Sequence, residues 1–464
     1  MFLMRYSVFI KIYSIYPESI NIIYHVSTMF KAMDDSKIRR IHMKITTLSS
    51  AGSFLDGFDI SIISVAILTI TSLYSLTTTE QTLLLGSTLL GMVFGGLSIG
   101  YLTDIKGRRF VFLWDMVIFI LFTFLTAISL NYTQLLIFRL LLGVAIGADY
   151  AITPTIIAEF APAKHRGKLL SFSGGAWFIG AFAAYGVGYL MPLFFPVSEA
   201  WRLMFGVGII PAVIVLILRR DIPESPRWLV AQGEYTRAEK SMRTISRDAE
   251  ISVHPRRKKT RIGVLFSKKY IAATVFISIF WFVLDAVTYV IALNGPSILA
   301  ANFSLSSDVA SGYAAIIAAF AIIGAVVAII FIDRTGRKNL TVAGFAGMVV
   351  PLFVAALVFE FFPNLLFVII LFVIFEISQE VGPGITNSIY PQELYPTEIR
   401  STAQGFGTTI SRIGALFGIF TFAIFPTIAL GLTYLVVLSL IGLIATIILG
   451  VETKGKSLEV LSGE

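Results

Sequence analysis

Eight ionisable side chains stand inside stretches that are otherwise apolar enough to cross a bilayer: Asp56, Asp59, Arg139, Asp149, Asp285, Glu376, Glu380 and Arg412. A carboxylate at the bilayer centre costs at least about 2.5 kcal/mol on insertion scales, so each is a candidate for function. Asp56 and Asp59 are three residues apart, and Glu376 and Glu380 are four apart. Trp281, Asp285 and Tyr289 form an i, i+4, i+8 stripe, so each group shares one helix face. The stripe suits a binding wall: an indole N–H and a phenol O–H flank a carboxylate that can accept a donor, take a proton or pair with a cation. The plainer alternative is that Trp281 and Tyr289 are core or interfacial aromatics. Asp149 and Tyr150 offer a second carboxylate and hydroxyl, while Trp177, Asn294, Gln379 and Asn387 add indole and amide groups for holding a polar solute. A buried acid without a fixed cation can load and release a proton as access alternates. Asp56, Asp59, Asp149, Asp285, Glu376 and Glu380 are the proton-coupling candidates; the alternative is that Arg139 only pairs with Asp149, and Arg412 with Glu376 or Glu380, which would make those acids structural or substrate-orienting.

Membrane helices must hold these residues. The 464 residues are 56% hydrophobic and 14% charged, against about 25% charged in soluble chains. Apolar windows of about 20 residues give twelve spans, centred at about 58, 92, 120, 147, 180, 210, 284, 319, 350, 377, 413 and 441. This predicts an all-α membrane protein of two six-helix bundles, 44–219 and 269–451, with a leader (1–43), a charged linker (220–268) and a tail (452–464). Placing both termini in the cytoplasm puts Lys106, Arg108, Arg109, Lys164, Arg166, Lys168, the linker, Arg334, Arg337, Lys338, Arg400, Lys454 and Lys456 on one side. Of 36 basic residues, only Arg139, Arg202 and Arg412 then fall in spans or near the outer face. The net charge of +8 belongs to inner loops beside anionic lipid, which makes a nucleic-acid partner unnecessary. With no Cys there is no disulfide or thiolate site. His25, His42, His165 and His254 lack metal spacing and read as surface residues, so neither metal nor cofactor is expected. The basic run 255–259 reads as a solvated inner-loop segment, and no phosphate-binding Gly-x4-Gly-Lys motif supports ATP-driven pumping. Met33 opens an ordinary cytoplasmic leader and is the expected start of translation.

The halves repeat. At an offset of about 229 residues, TDIKGRR (Thr103 to Arg109) pairs with IDRTGRK (Ile332 to Lys338), Asp56 with Asp285, and PES at Pro223 with VET at Val451. At about 234, AEFAPAKHR (Ala158 to Arg166) pairs with QELYPTEIR (Gln392 to Arg400). Six spans is an even number, so the copies are parallel repeats with a cavity between two bundles. The glycines of these turns, Gly107 and Gly336, allow a tight reversal, while Asp104 and Asp333 can bond an Arg or a helix N-terminus across the seam. Pairs Glu159 with Arg166 and Glu393 with Arg400 would make matching contacts. Gly100, Asp104, Gly107, Arg108, Arg109, Glu159 and Arg166, with Asp333, Gly336, Arg337, Glu393 and Arg400, are therefore the gating candidates.

On GYLTDIKGRRF, FIDRTGRKN and RLLLGVAIGADY the chain resembles the major facilitator superfamily from about residue 44 to 458, and PESPRWL and VETKGKS are similar to markers of its sugar porter branch. The resemblance implies alternating access driven by a solute or proton gradient. GADYAITPTIIAE and WFVLDAVTY resemble segments of the phosphate:proton symporter family, which implies substrate and proton roles for Asp149, Tyr150, Trp281, Asp285 and Tyr289. Trp177 and Gly384 stand where that family has Gln and Asn. DGFD at Asp56 to Asp59 is similar to a motif of aromatic-acid:proton symporters. The cavity residues thus point to a small polar, anionic metabolite carried with protons, by a monomer in the cell membrane. A hexose porter is the alternative, and a nutrient sensor on the same scaffold is the rival from another class. Asp285→Asn should abolish uphill uptake in proteoliposomes while the protein still inserts.

Overall fold

The computed structural model describes residues 30–245 and 261–462. The leader before Phe30, His25, His254 and the basic run 255–259 lie outside the described residues. Twelve long helices carry the fold: α1 (Arg40–Tyr74), α2 (Thr78–Lys106), α3 (Arg108–Ala127), α4 (Tyr132–Phe160), α5 (Arg166–Phe194) and α6 (Val197–Val207 continuing as Ile209–Arg219) in the first half. The second half has α7 (Ile271–Phe303), α8 (Ser307–Thr335), α9 (Arg337–Phe361), α10 (Leu365–Val381 continuing as Pro383–Leu394), α11 (Arg400–Phe422) and α12 (Ile428–Leu449). Eleven are long and apolar enough to cross a membrane. The twelfth, α11, is more polar because it buries Ser401, Thr402, Gln404, Thr408, Ser411 and Arg412 along the seam.

The pairing follows the repeat. Helix α1 packs on α5 as α7 packs on α11, and α2 packs on α4 as α8 packs on α10. The halves meet along α2 with α11 and α5 with α8, which exchange under the repeat. Small residues permit such close packing both between the halves, where a Cβ on Gly405 of α11 would fall 2.0 Å from the Gly96 carbonyl oxygen of α2, and within them, since helices in lipid gain little from the hydrophobic effect and depend on close approach. A Cβ on Gly143 of α4 would fall 2.1 Å from the Thr88 carbonyl oxygen of α2.

Helix starts on the two faces are built differently. On the face away from the termini, Thr77, Asn131, Asn364 and Thr427 cap α2, α4, α10 and α12 from within their own turns. On the opposite face, the terminal face, where the described residues begin and end, α3, α5, α9 and α11 have no such local side-chain cap. Helix α10 breaks at Gly382, with Pro383 opening its second piece, so that Glu376, Gln379 and Glu380 lie just before the break. His42 is buried at the start of α1, its Nδ1 accepting from the Arg39 N–H, and is not the surface residue expected.

Gly143→Val should abolish folding, because the clash is with backbone and overpacking alone costs about 1–3 kcal/mol. Gly186→Ala, where a Cβ meets nothing within 4 Å, should leave the monodisperse peak in detergent size exclusion unchanged.

Candidate functional site

Helices α1, α4, α5, α7, α10 and α11 enclose a cavity of about 110 Å³ open to water centres. About 10–15 Å³ of such space holds one water, so the cavity fits a small solute. The α7 stripe lines it: Trp281, Asp285 and Tyr289, with Leu284, Thr288 and Ala292 alongside. Opposite stand Ser53, Tyr150, Thr153, Ser173, Trp177 and Phe178. Helix α10 adds Glu376, Gln379, Glu380, Gly384, Asn387 and Ser388, and α11 adds Gln404 and Arg412. Arg412 donates to Asp285, and the rings of Tyr150 and Tyr289 lie 4.5 and 4.7 Å from its guanidinium carbon. The Trp177 and Tyr289 rings meet edge to face at 6.5 Å, which ties the two halves together at the cavity wall. Gln379 donates to Glu380 Oε1 at 2.9 Å. Glu380 Oε2 and the Trp177 indole N–H have no partner among the described residues.

Several expected residues lie elsewhere. Asn294 is turned along α7 and donates to the Val290 carbonyl at 3.2 Å. Asp56, Asp59 and Asp149 sit behind the wall. Arg139 binds Asp59 at 2.7 Å and not Asp149. Asp149 takes Arg219 at 3.0 Å and the Thr153 hydroxyl at 2.9 Å. Arg412 takes Asp285, leaving Glu376 and Glu380 without an arginine among the described residues. Sequence reasoning missed Arg219 and Asp115. Arg219 ends α6, where it looks like a loop cation, but its side chain turns inward over the Phe112 ring at 3.7 Å and also reaches Asp115 at 3.4 Å. Asp115 is a lone acid in the apolar run FLWDMVIF, which was the available signal. Asp56 lies within electrostatic reach of Asp149, Asp115 and Arg219, and its Oδ2 has no partner among the described residues.

The gating candidates converge on the terminal face. Arg108 grips Glu159 through Nε and Nη2 at 3.1 and 2.9 Å, and Arg337 grips Glu393 at the same two distances. Asp104 and Asp333 bind the same arginines at 3.0 and 2.9 Å. Gly107 and Gly336 take φ of 102° and 97°, where a Cβ would strike Glu224 and Glu452. Those glutamates supply the missing caps. Glu224 accepts from the Arg108 and Arg109 N–H groups of α3, and Glu452 from Arg337 and Lys338 of α9. Burial holds the Glu224 carboxyl above its ordinary range against the pull of those N–H groups.

The two aspartates cap across the seam. Asp104 accepts from the Thr402 N–H at 2.7 Å and from Ser401 at 3.3 Å on α11, and Asp333 accepts from the Lys168 N–H of α5 at 3.1 Å. Arg108 also donates to the Thr397 carbonyl. A Cβ on Gly100 would lie 2.6 Å from the Ser401 carbonyl, so α2 and α11 are in close contact here. The expected pairs Glu159 with Arg166 and Glu393 with Arg400 do not form. Glu159 binds Arg400 of the other half at 3.2 Å. Arg166 instead reaches Asp34 of the leader at 3.3 Å and the Lys456 carbonyl of the tail at 3.3 Å. Arg109 stays outside the seam, donating to the Arg220 carbonyl.

The family described as sugar (and other) transporter matches residues 45–463. A chain of Escherichia coli (strain K12) named for metabolite transport, YaaU, is 31% identical over 92% of this chain and 95% of its own length. The glucose transporter GlcP of Staphylococcus epidermidis is 28% identical over 90% of this chain and 96% of its own. Among solved structures, the major facilitator superfamily proton:xylose symporter XylE bound to 6-bromo-6-deoxy-D-glucose superimposes with a TM-score of 0.80. It is 24% identical, over 91% of this chain and 98% of that one. The chain belongs to the sugar (and other) transporter family, and is a multi-pass membrane transporter of the sugar-porter type, not an enzyme.

Proposed function

We propose that this protein carries a sugar-like, polyhydroxylated solute across the cell membrane by proton symport, as a monomer with both termini in the cytoplasm. The observation that carries the substrate class is the cavity wall, whose one cation, Arg412, is already committed to Asp285. An anion would meet the carboxyl groups of Glu376 and Glu380 and, among the described lining residues, no free cation, so the anionic metabolite expected from the sequence gives way to the sugar alternative. Paired indole faces with amides and hydroxyls from Gln379, Asn387, Ser388, Thr288 and Gln404 suit the C–H faces and hydroxyls of a sugar. The family match and the names of the relatives support the same class.

Proton coupling is assigned to Asp56 and the charges behind the wall. Asp115 and Asp149 share one guanidinium, Arg219, and Asp56 stands near this set with its Oδ2 unpartnered among the described residues. Buried charge without a counter-ion is costly, so protons must balance this set. Asp59 and Asp285 hold Arg139 and Arg412 in place. The terminal face is assigned to the cytoplasm from its basic loops, and its carboxylate caps close the inner gate, to be released when the halves part there.

In proteoliposomes, labelled hexose should accumulate only with an inward proton gradient. Asp56→Asn should lose that accumulation yet keep counterflow exchange. Asp285→Asn, expected from the sequence to insert and lose only uphill uptake, should instead impair folding, because Asp285 holds a buried ion pair with Arg412 and breaking such a pair costs about 3–5 kcal/mol; adding Arg412→Gln should recover folding. Accumulation of phosphate or short carboxylates in place of sugars would overturn the substrate class.

Because the chain has no Cys, single introduced cysteines give a clean test of the gate. With a cysteine at Ala403 on α11, buried just inside the seam, Asp104→Asn should speed alkylation by an impermeant maleimide from the cytoplasmic side by about tenfold. An unchanged rate would remove Asp104 from the gate.

A further inference from the structure

The cavity holds two acids that sugar binding alone does not require. Glu376 and Glu380 lie one helical turn apart on α10, 6% and 2% exposed, and both line the wall. The Gln379 amide satisfies Glu380 Oε1, while Glu380 Oε2 is buried without a partner among the described residues. A smaller recess adjoins the cavity, walled by Tyr185, Pro296 and Phe372. It shares Trp177 and Glu376 with the main space, and Glu376 is the one carboxylate of its lining. A solute moving between the two spaces therefore passes Glu376 and arrives beside Glu380.

A neutral sugar offers these carboxylates hydroxyl donors but no charge. An ammonium group offers three donors and the counter-ion that the wall lacks, and it also suits the indole faces of Trp177 and Trp281. Two acids one turn apart repel each other when both are ionised, and a single cation between them relieves that repulsion. Among the described residues no arginine or lysine serves this purpose, since Arg412 is taken by Asp285.

We propose that the preferred substrate is a polyhydroxylated solute bearing a primary amine, such as an amino sugar, with its ammonium held between Glu376 and Glu380. The inference rests on the sugar reading of the cavity and adds the charge that the substrate brings.

The test uses the full-length protein in proteoliposomes with three labelled probes: glucosamine, glucose and N-acetylglucosamine, which keeps the ring but loses the charge. Glucosamine should show a KM roughly tenfold below that of either neutral sugar, in line with one added charge-assisted bond. Glu376→Gln and Glu380→Gln should each bring the glucosamine and glucose KM values together, while Glu376→Asp should keep them apart. If the wild-type protein takes up glucose as tightly as glucosamine, the inference falls and the sugar reading stands. If the preference survives both glutamine variants, the assigned site is wrong. If no probe moves while another class of solute does, the sugar reading itself fails and takes the inference with it.

Discussion

Helices α3, α5, α9 and α11 begin on the terminal face without a side-chain cap of their own, and much of what is organised on that face answers this need. A helix N-terminus carries unpaired donors and roughly half a positive charge, so a carboxylate is its natural partner. Glu224 and Glu452 supply it within each half, to α3 and α9. Asp104 and Asp333 supply it between the halves, to α11 and α5. The first pair builds each bundle and the second joins the two. The opposite face caps α2, α4, α10 and α12 locally, so their starts place no demand on the other half.

The same economy governs buried charge. Arg108, Arg139, Arg166, Arg219, Arg227, Arg337, Arg400 and Arg412 are all almost fully buried, which is tolerable only because each finds an oxygen partner. Guanidinium suits the task because its planar fork binds a carboxylate with two bonds at once, as Arg108 and Arg337 do. Where the acids outnumber the arginines, at Asp56 with Asp115 and Asp149 and again at Glu376 with Glu380, the imbalance is local. Those are the two places where a mobile cation has work to do, one behind the cavity wall and one within it.

Much of this was legible in the sequence because it repeats or follows from periodicity. The spans, the two halves and the cavity stripe on α7 follow from hydropathy and from i, i+4 spacing, and the motif TDIKGRR announced its twin. Partners were not legible. Arg139 lies in the same helix as Asp149 but pairs with Asp59, since ten residues at about 1.5 Å each put Asp149 about 15 Å further along the axis, beyond side-chain reach. Asn294 looked like a cavity amide, yet at nine residues beyond Asp285 it falls off the stripe and bonds its own backbone. Arg219 was hidden by its position, one residue before a run that belongs to the linker. The anionic substrate was inferred from motif likeness around Asp149 and Asp285, and the structure shows both engaged by arginine.

One asymmetry stands out against the repeat. Arg400 crosses the seam to Glu159, and by symmetry Arg166 should cross to Glu393. It does not, because Asp34 of the leader occupies Arg166 and also takes Arg227 at 2.9 Å, beneath the Phe30 ring stacked on that guanidinium at 4.6 Å. Glu393 is left to Arg337 and the Thr453 hydroxyl. A leader outside the repeat thus substitutes for one of two symmetric cross-seam ion pairs, while the Lys456 carbonyl of the tail takes another donor of the same arginine. The seam is consequently tied at Arg400 by the bundles themselves and at Arg166 by the chain ends. Parting the halves on this face means breaking Asp104 and Asp333 from their helix N-termini in both repeats. At Glu159 it also breaks a direct bundle-to-bundle pair, whereas at Arg166 the cost depends on whether leader and tail move with one half or stay bridged across both.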